Sequence, residues 1–248
     1  MAALLRPLRR SVARLRRPLP LAELDGESFY DAYWERRLDL EPEVVTTAPG
    51  RARIVAEFVE PGWSVLDLGC GDGSFLECLR REVPGIEVRG ADVSETALAK
   101  ARARGIEVMR LDLTEASAEL PGAHDVVTAL EVIEHVPDAE TVVRKAAAAA
   151  RRYLIVSVPN LGFIENRLRL LTGRGPNTNL VHHVREHLRQ WTVRDFREWT
   201  GHLGLEIVAE RPTRPVAALG LGRRMPALFS SGMLYVLERA PEARSTGL

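Results

Sequence analysis

The sequence predicts an α/β protein with a doubly wound, Rossmann-like sheet of seven strands, mostly parallel with the last strand antiparallel. Short apolar runs with strand periodicity alternate with helical periodicities along the chain, as is typical of parallel sheets covered by helices. A glycine-rich turn follows the first such run. The last two runs have no strongly periodic helix between them, which favours an antiparallel final strand.

The spacing of apolar residues sets the expected elements. Two helices are expected ahead of the first strand, at 29–37 and 51–58, where they would cover a ligand site. The seven strands are expected at 64–68, 86–91, 106–111, 124–129, 153–158, 205–211 and 233–239. The remaining helices are expected at 74–82, 94–103, 139–151 and 193–203. Thr192 and Asp195 have capping-box spacing and Gly204 follows, so helix 193–203 has the clearest limits.

Length and charge exclude several classes of protein. The 248 residues, 46% of them hydrophobic, suffice for one α/β domain with a large core. The 34 basic and 34 acidic residues give no net positive charge, so the overall charge does not indicate a nucleic-acid partner. No apolar run approaches the roughly 20 residues that a membrane span requires. Cys70 and Cys78 are too few for a disulfide framework, so we expect a cytoplasmic protein.

The amino terminus differs from the rest in composition. Six arginines precede Glu23, the first acidic residue, so we divide the chain into a basic tail at 1–24 and a domain at 25–248. Apolar residues within the tail recur at helical spacing, at Leu4, Leu8, Val12 and Leu15. This pattern would suit a weak contact of residues 1–20 with an anionic membrane surface. A tail without regular structure is the alternative.

The turn after strand 64–68 has the features of a cofactor loop. Gly69, Gly71 and Gly73 allow the backbone to turn tightly and to approach a ligand closely. Ser74 stands where a dinucleotide fingerprint has its third glycine, which weakens a pyrophosphate interpretation. Asp67 adds a carboxylate at the strand end, which suits a cationic amino group. The loop therefore favours an aminoacyl nucleoside.

Two more acids follow the next two expected strands. Asp92 comes 21 residues after Gly71, and an acid about 20 residues past such a loop accepts hydrogen bonds from ribose hydroxyls. Asp112 ends the third short β-rich run. Each acid alone is also explained as a helix cap or turn residue. Three acids at three successive strand ends together predict a nucleoside site at one edge of the sheet.

An acid followed by the G-x-G-x-G of residues 69–73 resembles the first motif of the class I S-adenosylmethionine (SAM) methyltransferases. The resemblance implies SAM as cofactor and a methyl transfer to an oxygen or nitrogen nucleophile of a small-molecule or glycan-type acceptor. It implies cofactor contacts from Asp67, Gly69, Cys70, Gly71, Gly73, Asp92, Val93, Asp112, Leu113 and Leu130.

The segment after the fourth strand carries the candidate chemistry. Glu131, Glu134 and His135 stand at i, i+3 and i+4, which on a helical turn share one face of about 100°. Such a face could hold a divalent cation or a general base. The pattern resembles the E-x-x-E-H of ubiquinone-pathway O-methyltransferases and of RNA 3′-end 2′-O-methyltransferases, which implies a metal with His187 as a further ligand. We predict His135, Glu131 and His187 as catalytic residues and assign no metal ligand.

A narrower resemblance is carried by residues 152–163, 166–174 and 187–196, which are similar to the MetW family of methionine biosynthesis proteins. It covers about residue 62 to the end and includes the lack of a Pro-Gly-Gly turn before the fifth strand, where this chain has Arg151, Arg152 and Tyr153. It implies an alternative function as a non-catalytic or regulatory partner of an acyltransferase in methionine biosynthesis.

Residues 160–191 form an expected insert in the region where acceptor pockets are usually built. Its histidines are His182, His183 and His187, each expected to be solvated in a loop. The cluster lacks the cysteines and the regular spacing of a zinc site. The aromatic residues that follow are expected to pack the late helix onto the sheet, namely Trp191, Phe196 and Trp199.

Overall fold

The structure is a computed structural model, and it describes residues 30, 31, 34, 47–115, 117–176, 187–215 and 220–240. The basic tail predicted at 1–24 lies outside the described residues, as do His182 and His183. The boundary between tail and domain therefore stays a prediction.

The described fold contains seven strands and eight helices, numbered here in chain order. The strands are β1 (Ser64–Leu68), β2 (Glu87–Asp92), β3 (Glu107–Arg110), β4 (His124–Leu130), β5 (Ala150–Pro159), β6 (Leu205–Pro212) and β7 (Gly232–Arg239). The helices are α1 (Thr47–Ala56), α2 (Ser74–Glu82), α3 (Glu95–Ala103), α4 (Ala139–Ala149), α5 (Ile164–Leu171), α6 (Val193–His202), α7 (Leu221–Arg224) and α8 (Pro226–Phe229). A single 3₁₀ turn at Ile133–His135 follows β4.

The strands form one sheet in the order β3-β2-β1-β4-β5-β7-β6. Neighbours among β1 to β5 pair in parallel, whereas β7 lies antiparallel between β5 and β6. The predicted fold class is confirmed. Leu68 is in register with Ala91 on β2 and with Ala129 on β4, so the loops after these strands meet at the carboxyl edge of the sheet.

Helices cover both faces of this sheet. Val65 packs with α1, α2 and α3 on one face, and Leu66 and Leu68 pack with α4 and α6 on the other. The alternation follows from the two-residue period of a strand. Both faces are therefore covered, and the candidate site lies at the carboxyl edge, where the loops after the parallel strands meet.

The predicted packing of the late aromatic residues is confirmed. The ring centroid of Trp191 lies 5.8 Å from that of Phe196 and 5.0 Å from that of Trp199. Phe196 stacks on Tyr235 of β7 at 4.1 Å. Thr192 and Asp195 form the predicted capping box of α6. The cluster fixes α6 against the sheet and with it the chain that enters α6 from the candidate site.

The structure differs from the expected elements in the second half of the chain. Helix α5 lies within the insert at 160–191, and the short helices α7 and α8 precede β7. Helix α4 ends at Ala149, two residues before the end expected for helix 139–151, and strand β5 begins at Ala150. Among the described helices, none has both the length and the apolar character needed to cross a membrane.

Candidate functional site

The loop between β1 and α2 is a close-packed turn with little room for side chains. Gly69 and Gly71 have φ values of 70° and 55°, a region that L residues rarely adopt. A Cβ on Gly71 would lie 2.4 Å from the ring of Trp34, and a Cβ on Gly69 would lie 2.5 Å from Val132. Val132 follows β4, so the glycine loop touches the segment that carries the predicted chemistry.

The residue after α3 holds the same loop from the other side. The Arg104 guanidinium donates to the Asp72 carbonyl at 2.9 Å and to its carboxylate at 3.0 Å. Gly73 packs against α3 with no room for a Cβ, and Cys70 is buried against Gly90. Arg104 was not identified from the sequence, because arginine is abundant throughout the chain. These contacts fix the loop conformation.

Two buried carboxylates flank the glycine loop. Asp67 is 3% exposed and accepts a hydrogen bond from Thr128 Oγ1 at 2.6 Å. Asp92 ends β2 and accepts from the Gly71 amide at 2.8 Å and from the Ser94 amide at 2.9 Å. Asp92 therefore supports the loop directly as well as lying at the position predicted to bind a ribose.

Burial makes both of these acids costly to ionise. It raises the pKa of Asp67 to about 7, with the charge of Asp92 adding to the rise and the Thr128 hydrogen bond opposing it. Burial also raises the pKa of Asp92, against the lowering effect of the Ser94 and Gly71 amides. A nearby cationic ligand would favour the ionised form of both carboxylates.

The other predicted cofactor residues lie at the same edge and are half-buried. Val93 follows β2, Leu130 ends β4, and Asp112 and Leu113 follow β3. Asp112 accepts hydrogen bonds from the Thr114 amide and hydroxyl at 2.8 and 2.7 Å, so it also forms the local turn considered for it from the sequence. The structure brings the three acids to one edge, and the cofactor roles of all these residues stay predictions.

Glu131 follows β4 in an unusual backbone conformation. Its φ of 59° is the one positive value among the described non-glycine residues, and such strain clusters at functional sites. Ser157 on β5 donates to Oε1 at 3.1 Å. Oε2 lies 2.5 Å from Arg214 Nη2 and 3.4 Å from Arg51 Nη2. Because of this conformation Glu131 does not share a helical face with Glu134 and His135.

The two glutamates have opposite protonation tendencies. Burial alone would raise the pKa of Glu131, but the guanidinium groups of Arg214 and Arg51 outweigh it and hold that pKa below its usual value. Burial and the nearby charge of Glu131 raise the pKa of Glu134 well above its usual value. Glu131 therefore ionises more readily than Glu134, and a cation bound at Glu134 would favour the ionised form of that acid.

Glu134, His135 and His187 form a compact group beside this carboxylate. Each contributes one potential ligand atom, and these atoms lie within 4.8 Å of one another. The two imidazole rings meet edge to face, with centroids 4.7 Å apart. Glu134 is 1% exposed, and within the described ranges no residue donates a hydrogen bond to either of its carboxylate oxygens. The donor set fits a divalent cation of general type, with Glu131 outside the group.

A backbone clamp places His187 in this group. The Glu134 carbonyl accepts hydrogen bonds from the Leu188 amide at 2.8 Å and the Arg189 amide at 3.2 Å. The Arg189 side chain binds Glu140 at the start of α4. His187 thus lies beside His135, although about 50 residues separate the two in the sequence. At this separation, the spacing of the residues does not indicate the contact.

The described residues of the expected helix 29–37 lie over the cofactor edge. Tyr30, Asp31 and Trp34 are helical. The Asp31 carboxylate accepts from the Ser94 hydroxyl at 2.5 Å and from the Thr96 amide at 3.2 Å, at the start of α3. Together with the contact of Trp34 on Gly71, this places the described residues of the segment across the glycine loop, as expected of a cover for the site.

A cavity of about 340 Å³ lies at the opposite edge of the sheet. Arg152, Tyr153 and Arg239 are among the residues that line it, where β5 begins and β7 ends. The predicted site residues lie at the carboxyl edge, so this cavity is separate from them.

The comparison with protein families matches the chain to "Methionine biosynthesis protein MetW" over residues 51–237. Curated relatives include the ubiquinone biosynthesis O-methyltransferase of Bordetella pertussis, 44% identical over 96 residues, with 36% of this chain and 39% of the relative covered. The enzyme of the same name from Bordetella avium is 34% identical over 139 residues, covering 52% of this chain and 56% of the relative. The chain thus spans about half the length of these relatives.

Solved structures share the fold at low sequence identity. A putative methyltransferase of Haloferax volcanii, solved in complex with the Trm112 methyltransferase activator, has a TM-score of 0.60 and 18% identity, covering 86% of this chain and 96% of that one. The magnesium protoporphyrin IX methyltransferase of Synechocystis PCC 6803, with bound S-adenosylhomocysteine (SAH), has a TM-score of 0.53 and 22% identity, covering 94% and 95%.

Proposed function

The chain belongs to the MetW family of methionine biosynthesis proteins, and we propose that it is a SAM-dependent methyltransferase acting on an oxygen or nitrogen nucleophile of a small-molecule or glycan-type acceptor. The relatives named as O-methyltransferases support this activity and favour an oxygen nucleophile. We also propose that it acts in the cytoplasm, a reducing compartment that suits the free thiols of Cys70 and Cys78.

One observation carries the proposal: a rigid glycine loop packed between two buried carboxylates at neighbouring strand ends. Asp67 would neutralise the ammonium group of the cofactor, and Asp92 would accept hydrogen bonds from its ribose. Cys70 and Gly73 shape the loop, and the half-buried residues after the strands would contact the adenine. The last group comprises Val93, Asp112, Leu113 and Leu130.

The transfer itself requires few residues. Displacement at an activated methyl group depends mostly on proximity and in-line orientation, with a general base only where the nucleophile is a hydroxyl. His135 and His187 are the candidate bases. Glu131, held ionised by its arginines, would orient the nucleophile by accepting its hydrogen bond rather than take its proton.

A divalent cation is the alternative use of Glu134, His135 and His187, whose geometry fits it. A cation there would lower the pKa of an acceptor hydroxyl. It would also hold Glu134 ionised, which burial otherwise opposes.

The proposed function is tested by calorimetric titration of the protein with SAM, SAH and NAD, followed by a screen of acceptors that detects SAH release with and without magnesium. We expect SAM and SAH to bind, NAD not to bind, and at least one hydroxyl or amine acceptor to be methylated. Tight NAD binding without SAH binding would refute the proposed cofactor.

The second candidate function is a non-catalytic partner of an acyltransferase, which the family's description as methionine biosynthesis proteins favours. It predicts no SAH release with any acceptor, but co-purification with an acyltransferase whose activity changes in the complex. The same screen followed by co-purification separates the two functions.

A pH dependence of SAH affinity follows from Asp67. Because burial raises its pKa to about 7, the carboxyl is largely neutral below that pH and only its ionised form attracts the ammonium group. We expect SAH affinity to rise on the order of tenfold between about pH 5.5 and pH 7, since a neutral carboxyl must first lose its proton. Titrations across this range measure it.

Asp67→Asn should bind SAH more weakly and lose most of that pH dependence. Asp125→Asn is the matched control, because Asp125 accepts from Ser64 at the opposite edge of the sheet. If the SAH affinity of Asp67→Asn still rises over the same pH range, the pH dependence belongs to another group.

A further inference from the structure

Two arginines from distant parts of the chain converge on Glu131. Arg51 lies on α1, before the first strand, and Arg214 follows β6. Both guanidinium groups approach the same carboxylate oxygen, at 3.4 and 2.5 Å. Ser157 donates to the other oxygen, so both oxygens of this carboxylate already have partners.

The cluster holds more hydrogen-bond donors than its carboxylate can accept. Two guanidinium groups, which stay protonated in proteins, face the single ionised carboxylate of Glu131. Each guanidinium has five N–H donors, far more than one carboxylate oxygen can accept. N–H donors of both guanidinium groups therefore remain for a further anion.

The surroundings of Arg214 supply a second, independent observation. Arg214 packs against Gly232, where a Cβ would come within 3.2 Å of its guanidinium. Thr213 Oγ1 lies beside the same position and is buried without a hydrogen-bond partner among the described residues. A buried hydroxyl of this kind normally has a partner, and a ligand oxygen at the arginine pair would provide one.

The cluster also lies where an acceptor has to bind. Glu131 precedes Val132, which packs on Gly69 of the proposed cofactor loop. The charge of Arg51 acts on Asp67 as well as on Glu131, so this arginine lies between the cofactor side and the acceptor side. An anion held by the two arginines would thus lie next to the reacting centre.

We propose that Arg51 and Arg214 bind an anionic oxygen group, a carboxylate or a phosphate, on the methyl acceptor, so that the acceptor is a small anionic molecule. This inference rests on the proposed methyltransferase function and assigns its substrate class. Arginine suits this role because its planar fork matches both anions. Glu131 orients the nucleophile beside the bound anion.

The test compares matched probes on SAH-loaded protein by calorimetry: 3,4-dihydroxybenzoate against its methyl amide, and phenyl phosphate against phenol. At least one anionic probe should bind 10-fold or more tightly than its neutral partner. A tenfold preference corresponds to about 1.4 kcal/mol of binding free energy. The pair that shows the preference identifies the anion as carboxylate or phosphate.

Arg214→Gln should remove that preference while SAH affinity and melting temperature stay unchanged. Arg211→Gln is the matched control, because Arg211 has a similarly exposed side chain, 40% against 42%, and pairs with Glu57 instead. Glu131→Gln should shift the result in the opposite direction and tighten anion binding several-fold, since it removes the competing carboxylate.

Equal binding of anionic and neutral probes, or equal effects of Arg214→Gln and Arg211→Gln, would overturn the proposal. Failure of every anionic probe to bind SAH-loaded protein would also overturn it and leave the methyltransferase function standing. Failure of SAH itself to bind would refute both.

Discussion

Gly71→Val should abolish SAH binding, with a loss of affinity of about 100-fold or more, which corresponds to about 2.8 kcal/mol. The substitution adds a side chain at a positive φ and directs it at the ring of Trp34, 2.4 Å from the new Cβ. The same side chain would fill space that the proposed cofactor needs. Calorimetric titration with SAH measures the loss, and circular dichroism and thermal melting establish that the protein remains folded.

Two further variants separate local strain from a blocked site. Gly122→Val introduces the same residue at a φ of 68° with nothing within 4 Å, so it carries the backbone strain without the contact. It should bind SAH normally. Gly71→Val combined with Trp34→Ala removes the clash with the indole and should still fail to bind SAH. Unchanged affinity in Gly71→Val would show that the loop is only a structural turn.

The cofactor half of the site could be predicted from the sequence because its signals are local. Strand β1 and helix α2 have the limits expected for them, 64–68 and 74–82. A buried apolar run, three glycines and an amphipathic helix follow one another there without interruption. In a parallel sheet the carboxyl ends of such strands meet at one edge, so the positions of Asp67 and Asp92 follow from topology alone.

The second half of the site depends on contacts between distant segments. Arg51 and Arg214 are separated by more than 160 residues, and neither stands out in a chain rich in arginine. The positive φ of Glu131 is also invisible in the sequence, since a helical continuation of the motif was equally compatible with it. These features exist because α1, β4 and the end of β6 meet at the carboxyl edge.

Tertiary pairing also overrode one local preference. The alanine run before β5 favours helix, and the sequence accordingly predicted a helix to residue 151. In the structure Ala150 pairs with His124 of β4, so the chain leaves the helix earlier and extends the strand. Sheet hydrogen bonds, available only in the folded chain, decide the boundary.

His135→Ala should reduce turnover by roughly 100-fold or more while SAH affinity stays within a few-fold, which is the usual contribution of a positioned acid or base. His135 is half-buried and follows β4, outside the glycine loop, and its ring packs edge to face on His187 with centroids 4.7 Å apart. Turnover is measured as SAH release with the acceptor identified by the screen, alongside melting temperature and SAH affinity.

Three outcomes distinguish the possible roles of His135. A loss of turnover with unchanged melting temperature supports a direct role, and sensitivity of the wild type to chelators would identify that role as cation binding.

The control is His124→Ala, because His124 is buried at the other end of β4 and contacts the Pro121 carbonyl at 2.8 Å. That variant should lose stability, with activity following the folded fraction. If His135→Ala behaves like His124→Ala, His135 only supports the fold, and wild-type turnover at unchanged stability would remove it from the reaction altogether.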